Sequence, residues 1–321
     1  MTPTPPAPLH RKAVIMLLVA NAFWGLSFPL MKAAGQLTER LSPEATPWFF
    51  TAMMLMPRFV IAAVVLALIL GRGVRSITPS EWKQGLTLGA FAVLGMVLQA
   101  DGLQYTEAST SAFLSQFYAI LIPLWMAVRW RRNPGALVWV CVSLVLVGGG
   151  ILGQFDWREL HLGRGETETL IASVFFMGQI LTLERREFSA NRVLPITLVM
   201  FAVQGAVFGG MAFATAPTPG VIFTAMALPA WWGFTLALTV FCTLGAFLLM
   251  NKWQPHIPAV EAGLLYCAEP IFSLAFSLVL PGLFSAWALI SYANETLTPP
   301  MLVGGGLITL ANGLLQFRAR K

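Results

Sequence analysis

Two long apolar runs in this chain contain the same pentapeptide, Leu-Val-Gly-Gly-Gly, at Leu146–Gly150 and at Leu302–Gly306. Each copy lies near the end of one half of the chain. Each is preceded by another apolar run carrying one proline, Pro123 in the first half and Pro270 in the second. About 20 consecutive apolar residues suffice for a helix to cross a bilayer. The pattern is that of a duplicated membrane unit.

Charge confirms lipid as the solvent. Of 321 residues, 11% are charged and 57% hydrophobic, against about 25% charged in soluble domains. The mean hydropathy is +0.74. So few charges cannot make a water-facing surface, and in lipid every backbone group must be satisfied internally, which favours helices. The expected fold class is an all-α membrane protein with ten transmembrane helices in two inverted five-helix repeats. The spans fall at 13–34, 47–70, 83–104, 108–128, 134–153, 166–184, 193–214, 230–251, 257–281 and 299–317, with Pro57 and Arg58 interrupting the second. Residues 1–12 form a Pro-rich, basic tail that leads into the first span rather than a cleaved signal. The expected repeats are 13–153 and 166–317, joined by an external polar linker at 154–165 and followed by a short tail at 318–321.

Basic residues orient the chain. Arg11, Lys12, Arg72, Arg75, Lys83, Arg129, Arg131, Arg132, Arg185, Arg186, Arg192, Lys252, Arg318, Arg320 and Lys321 fall on one side. Only Arg40, Arg158 and Arg164 fall on the other, with Lys32 and Arg58 inside spans. The positive-inside rule then puts both termini in the cytoplasm. It also accounts for the net charge of +6, so the basic balance carries no implication of nucleic acid. Five spans per half is an odd number, so the halves run in opposite senses. That architecture is common among secondary transporters, with the substrate path between the repeats. Cys141, Cys242 and Cys267 lie in apolar runs as free thiols. His10, His161 and His256 are scattered, and neither a metal nor any other cofactor is implied.

Several segments together carry a family resemblance. In the first half they are Phe23-Trp24-Gly25-Leu26-Ser27-Phe28, Arg58-Phe59, Gly102-Leu103-Gln104-Tyr105-Thr106-Glu107-Ala108-Ser109, Pro123 and Leu146-Val147-Gly148. In the second they are Ala268-Glu269-Pro270-Ile271-Phe272, Glu295-Thr296-Leu297-Thr298 and Gly304-Gly305-Gly306-Leu307-Ile308. In this order the chain resembles EamA-type members of the drug/metabolite transporter superfamily over nearly its whole length. The resemblance implies two inverted repeats around a central cavity, peripheral fifth and tenth spans, export or exchange of small metabolites, and residence in a bacterial inner membrane. Two departures stand out. The first half has Arg129-Trp130-Arg131-Arg132-Asn133 where the family often carries an acidic residue, and the second half has an insertion at 283–294, a short surface helix or a gate.

Charges and polar groups inside spans are the candidate transport residues. A charge at the bilayer centre costs about 2.5–3.5 kcal/mol even on lenient scales. By depth, Arg58 and Glu269 meet near the midplane, as an ion pair or with Glu269 as a coupling-proton site; a static structural pair is the alternative. Glu261 and Asp101 lie nearer the two interfaces. Span one carries Asn21, Trp24, Gly25, Ser27 and Pro29, which loosen the helix and expose backbone groups. The substrate path is therefore expected beside Trp24 and Ser27. In span four, Ser111, Ser115 and Tyr118 share a face at i, i+4, i+7 spacing, and in span nine Tyr266 precedes Pro270. Gln179 is a further candidate, although it, Gln99, Gln204 and Asn251 also suit interhelical glue. The glycine triplets and Gly205-x-x-x-Gly209 have the spacing of close helix packing. Phe23, Phe28, Phe113, Phe117, Phe175, Phe176 and Tyr266 offer aromatic walls.

The function expected from these features is a secondary transporter of small metabolites, most of all amino acids with aromatic or amphipathic character, working by alternating access. A flippase for a lipid-linked headgroup is the alternative. An enzyme is disfavoured, because the chain has no His-Glu-x-x-His and no Gly-x-Ser-x-Gly. Partners are a small-molecule substrate and the lipid bilayer; a monomer and a homodimer both fit.

Overall fold

The computed structural model describes residues 7–41, 44–102, 105–106, 108–131, 133–152 and 163–319. Most of the expected linker, with Arg158 and His161, lies outside the described residues. So do Leu103, Gln104, Glu107, Arg132, Arg320 and Lys321. Among the described residues every regular element is helical: α1 (Ala7–Leu41), α2 (Pro47–Leu70), α3 (Pro79–Gly102), α4 (Ala108–Ser115), α5 (Tyr118–Trp130), α6 (Ala136–Leu152), α7 (Arg164–Leu183), α8 (Val193–Thr215), α9 (Pro219–Met226), α10 (Pro229–Ala237), α11 (Ala246–Trp253), α12 (Ala259–Tyr266), α13 (Glu269–Ser277), α14 (Leu280–Ala288) and α15 (Pro299–Ala319). Six helical stretches are long and apolar enough to cross a membrane: Pro8–Arg40, Pro47–Ser76, Pro79–Gly102, Val193–Thr215, Pro229–His256 and Ala259–Ser277. Shorter apolar stretches cover Phe113–Arg129, Ala136–Leu152 and Pro299–Leu315.

Local chemistry sets the helix ends. Proline opens α2, α3, α10 and α15, where its missing N–H is no loss and its fixed φ is already helical. The Thr46 hydroxyl caps α2 by accepting the Phe49 N–H at 3.3 Å. A capping box starts α3: the Glu81 carboxylate accepts the Thr78 N–H at 2.8 Å, and the Thr78 hydroxyl accepts the Glu81 N–H at 3.2 Å.

Three transmembrane helices are irregular. The fourth expected span is split into α4 and α5 at Gln116–Phe117, and the ninth into α12 and α13 at Cys267–Ala268. Between α10 and α11 the chain stays helical but widens into a π-helical stretch, Leu238–Gly245. The expected interruption of span two is absent, because α2 runs unbroken through Pro57 and Arg58. One lost hydrogen bond at a proline is tolerated where neighbouring helices close around it. The insertion at 283–294 starts within α14, whose Phe284 and Trp287 rings both sit 5.1 Å from Phe234 of α10.

Helices pair in a regular pattern: α2 with α8, α6 with α15, α5 with α12, α3 with α7 and α8, and α1 with α11 and α13. The two Leu-Val-Gly-Gly-Gly copies pack against each other. A Cβ on Gly148 would lie 2.7 Å from the Gly304 carbonyl oxygen, and one on Gly304 would lie 2.6 Å from that of Gly148. Only glycine allows backbones so close. Gly25 does the same for α1 on α13, where a Cβ would meet the Ser273 nitrogen at 2.7 Å.

Candidate functional site

The irregular backbone converges on one region. Glu269 is the first residue of α13, directly after one break, and Tyr118 is the first of α5, directly after the other. Cys242 lies within the π-helical stretch. Arg58 follows Pro57 on α2. Cys242 is within electrostatic reach of both Arg58 and Glu269, and the Tyr118 hydroxyl lies near the Cys267 thiol and Glu269. π-Helical turns and broken helices recur where a binding site needs backbone groups or an unusual side-chain direction.

Rings join these groups along α1, α2 and α11. Trp24 stands edge-on to Tyr266 at 5.5 Å and to Phe247 at 5.4 Å. Phe247 meets Phe59 at 6.2 Å, and the Arg58 guanidinium lies 4.9 Å from the Phe59 ring centre. Edge-to-face ring pairs of this kind are each worth about 0.5–1.5 kcal/mol beyond their buried area. The row is held from behind by hydrogen bonds. The Tyr266 hydroxyl donates to Gln254 Oε1 at 2.8 Å, and Gln254 Nε2 donates to the Ile180 carbonyl at 2.7 Å. Asn21 Nδ2 donates to the Leu265 carbonyl at 2.9 Å, serving a backbone group beside the α12 break.

Arg58 and Glu269 form no ion pair. Arg58 is 6% exposed. Its Nη1 reaches the Met31 sulfur at 3.7 Å, while its Nε has no partner. Glu269 is half-buried, and it makes no hydrogen bond to another described residue. Matching depth along two helices was the basis for pairing them. Depth fixes height and says nothing of the direction in which each side chain points around its helix.

Several of the other candidates have partners. Ser27 is half-buried on α1, three residues from Trp24. Ser111 Oγ lies 3.4 Å from Thr169 Oγ1 of α7, and Ser115 is buried. The break at Gln116–Phe117 separates both from Tyr118, so the three do not form one continuous helical face. Gln179 Nε2 contacts the Met200 sulfur at 3.9 Å between α7 and α8. Glu261 accepts from His10 at 2.9 Å at the N-terminal ends of α12 and α1. Asp101 is paired with Arg164 at the opposite end, where Arg164 also binds Glu168 at 2.8 Å and lies 4.3 Å from the Tyr105 ring. These carboxylates hold the Arg164 pKa well above its ordinary value. At the end rich in arginine and lysine, Glu81 takes Arg192 on both oxygens, at 2.7 and 2.9 Å, which raises the Arg192 pKa. Sequence reasoning missed Phe247 and Met31, ordinary residues in apolar runs, and Gln254, which lies in the polar connection between two spans. It read Cys242 only as a free thiol in an apolar run, and no composition signal marks a π-helical turn.

Long apolar helices, breaks inside two of them and charges held in their interior define a multi-pass membrane protein. Residues 11–153 match the EamA-like transporter family, so the first half of the chain is similar to EamA-type membrane transporters. It is similar, at 24% identity over 94% of its length and 85% of the relative's, to an "Uncharacterized transporter" of Archaeoglobus fulgidus. It is also similar to the "Uncharacterized inner membrane transporter YicL" of Salmonella typhimurium, at 25% identity over 85% of this chain and 88% of the relative. One solved crystal structure shares the fold, with a TM-score of 0.70 at 15% identity, over 97% of this chain and 98% of its own.

Proposed function

We propose that this transporter is a secondary exporter or exchanger of small metabolites, amino acids above all, working by alternating access between two inverted five-helix repeats, 13–153 and 166–317. The observation that carries this reading is the meeting of two broken helices, one from each half, with the π-helical stretch near two unpaired side chains, buried Arg58 and half-buried Glu269. Broken segments at corresponding places in two halves are the best pointer to a transport site. The packing supports the symmetry. The pairs α2–α8, α5–α12 and α6–α15 each join a span to its counterpart in the other half. The contact of α3 with α7 is matched by that of α11 with α1. Trp24, Ser27, Tyr118 and Tyr266 line the path, with Arg58 and Glu269 at its charged centre. The chain sits in a bacterial inner membrane with both termini in the cytoplasm, as its basic flanks favour.

Counterflow in proteoliposomes tests this. Vesicles loaded with unlabelled amino acids should accumulate labelled phenylalanine transiently above protein-free vesicles, and competitors should rank the substrates. Absence of counterflow with every amino acid would refute the substrate class.

A further inference from the structure

We propose that the region between Arg58 and Glu269 binds a zwitterion, a free amino acid or a short peptide, with its carboxylate on the Arg58 guanidinium and its ammonium on the Glu269 carboxylate. The inference rests on the transporter reading above and names what its site holds.

Arg58 is short of partners. A guanidinium carries five N–H donors and accepts nothing. Here one nitrogen meets a thioether, a weak acceptor, the ring of Phe59 faces the cation, and Nε meets nothing. Buried polar atoms without partners are rare and call for an explanation. The group that best fits the planar fork is another planar group with two acceptor oxygens, a carboxylate.

Glu269 is the complementary case. It is a half-buried acidic side chain, placed by the α12–α13 break, with no hydrogen-bond or ion-pair partner among the described residues. The two charges do not reach each other, and the Cys242 thiol lies within range of both. A ligand with one charge would satisfy one group and leave the other stranded, the costly arrangement for buried ions. A ligand with both charges satisfies both. The rings of Phe59, Phe247, Trp24 and Tyr266 run beside this region and give the apolar body of the ligand a surface to lie on.

The test uses the purified full-length protein in detergent. Binding is measured by calorimetry and by the thermal unfolding midpoint. The ligands are serine, phenylalanine, the dipeptide alanyl-phenylalanine, phenylalanine methyl ester (ammonium only) and N-acetylphenylalanine (carboxylate only). At least one zwitterion should bind, and phenylalanine or the dipeptide should bind about thirtyfold more tightly than either single-charge form, the lower end for stranding one buried charge. The preference between amino acid and dipeptide reports the length that bridges the site. In Arg58→Gln the methyl ester should overtake the free amino acid, and in Glu269→Gln the acetylated form should. Arg58→Lys keeps the charge and should keep the original order, which also covers the case where Arg58→Gln does not fold. Equal binding of zwitterion and single-charge forms, no binding of any zwitterion, or equal weakening of all forms in both variants would overturn the proposal. Counterflow separates the two readings. Zwitterion binding without counterflow keeps the site and removes transport of amino acids. Counterflow of a singly charged solute without zwitterion binding keeps transport and removes the site.

Discussion

Gly148 and Gly306 belong to the two copies of one motif, and their replacement by alanine should have opposite effects. At Gly148 a Cβ would lie 2.7 Å from the Gly304 carbonyl oxygen and 3.0 Å from both Ile308 Cγ1 and Leu307 Cβ. Ordinary contact begins at 3.4 Å, so α6 and α15 must part by about 0.7 Å, because the obstructing atom is backbone and cannot rotate away. A radial gap of about 0.5–1 Å forfeits a quarter to a half of each dispersion well, and each carbon pair is worth about 0.1–0.2 kcal/mol. For about 30 atom pairs across such a helix crossing the loss is about 1–3 kcal/mol, in line with the cost of overpacking. Alanine returns up to about 1 kcal/mol through helix propensity, so Gly148→Ala should destabilise by about 1–2 kcal/mol net. Gly304→Ala meets the Gly148 oxygen at 2.6 Å and the Leu152 nitrogen at 2.7 Å and should behave alike. At Gly306 nothing lies within 4 Å of the added carbon. That variant should gain up to about 1 kcal/mol from propensity alone. Reversible unfolding in mixed micelles, followed by circular dichroism, reads all three. If Gly304→Ala and Gly306→Ala shift stability in the same direction by similar amounts, the close backbone approach is not what the glycines provide.

Three further outcomes follow from the described contacts. Glu81→Gln preserves the capping-box pattern but removes the charge beneath Arg192. Glu81 is 2% exposed and Arg192 50%, so the freed arginine regains water, and the loss should be about 1–2 kcal/mol rather than the larger cost of a wholly buried pair; an unchanged unfolding midpoint would contradict this. Burial and the nearby Glu295 push the Tyr292 phenol up to about 12, whereas an unfolded tyrosine titrates near about 10. The stability this contributes is complete below about pH 10 and is lost as pH rises through about 12; Tyr292→Phe should show less alkaline loss than wild type in unfolding midpoints at pH 9 and 11.5, and parallel curves would refute it. Trp287→Ala removes the ring that lies on Gly233 and Phe234, so amide exchange across Leu280–Ala288 should quicken at least about tenfold as that helix loses its anchor, and unchanged exchange would show that Phe284 alone holds it.

The helices were legible where their chemistry is local. Thr46, Pro47 and Gly71 bracket the second helix, and the expected 47–70 is the observed Pro47–Leu70. Ends blurred where polar helix continues beyond the apolar run. The first helix reaches Leu41, with Arg40 donating to the Leu289 carbonyl at 2.8 Å. The two breaks, at Gln116–Phe117 and Cys267–Ala268, are not marked by the prolines of their spans. Pro270 instead stands in the first turn of α13, where proline is comfortable, and the disruption lies just before it. α9 escaped notice because eight residues are too few to show a period. At the candidate site, Trp24, Tyr118, Tyr266, Arg58 and Glu269 were visible as polar or bulky residues inside apolar runs. Their mutual arrangement was not, since it depends on the rotation of each helix about its axis. Phe247 and Gln254 carried no signal because their importance comes entirely from Trp24 and Tyr266 across the helix boundary.

The π-helical stretch between Ala237 and Ala246 holds one more residue per turn's worth of chain than an α-helix would. In effect the helix stores a surplus residue in mid-membrane. Removing one residue there lets the segment relax to ordinary α-geometry with the flanking turns still facing as they do now, whereas removing one from the regular helix just beyond it would swing everything further along by about 100° around the axis. Phe247 would leave Trp24, and Asn251 would leave Thr197, which it now meets at 2.9 Å, although no side chain in either contact had changed. Leu238–Gly245 can therefore lose one residue with the contacts beyond it kept, and what would disappear is the widened turn that carries Cys242.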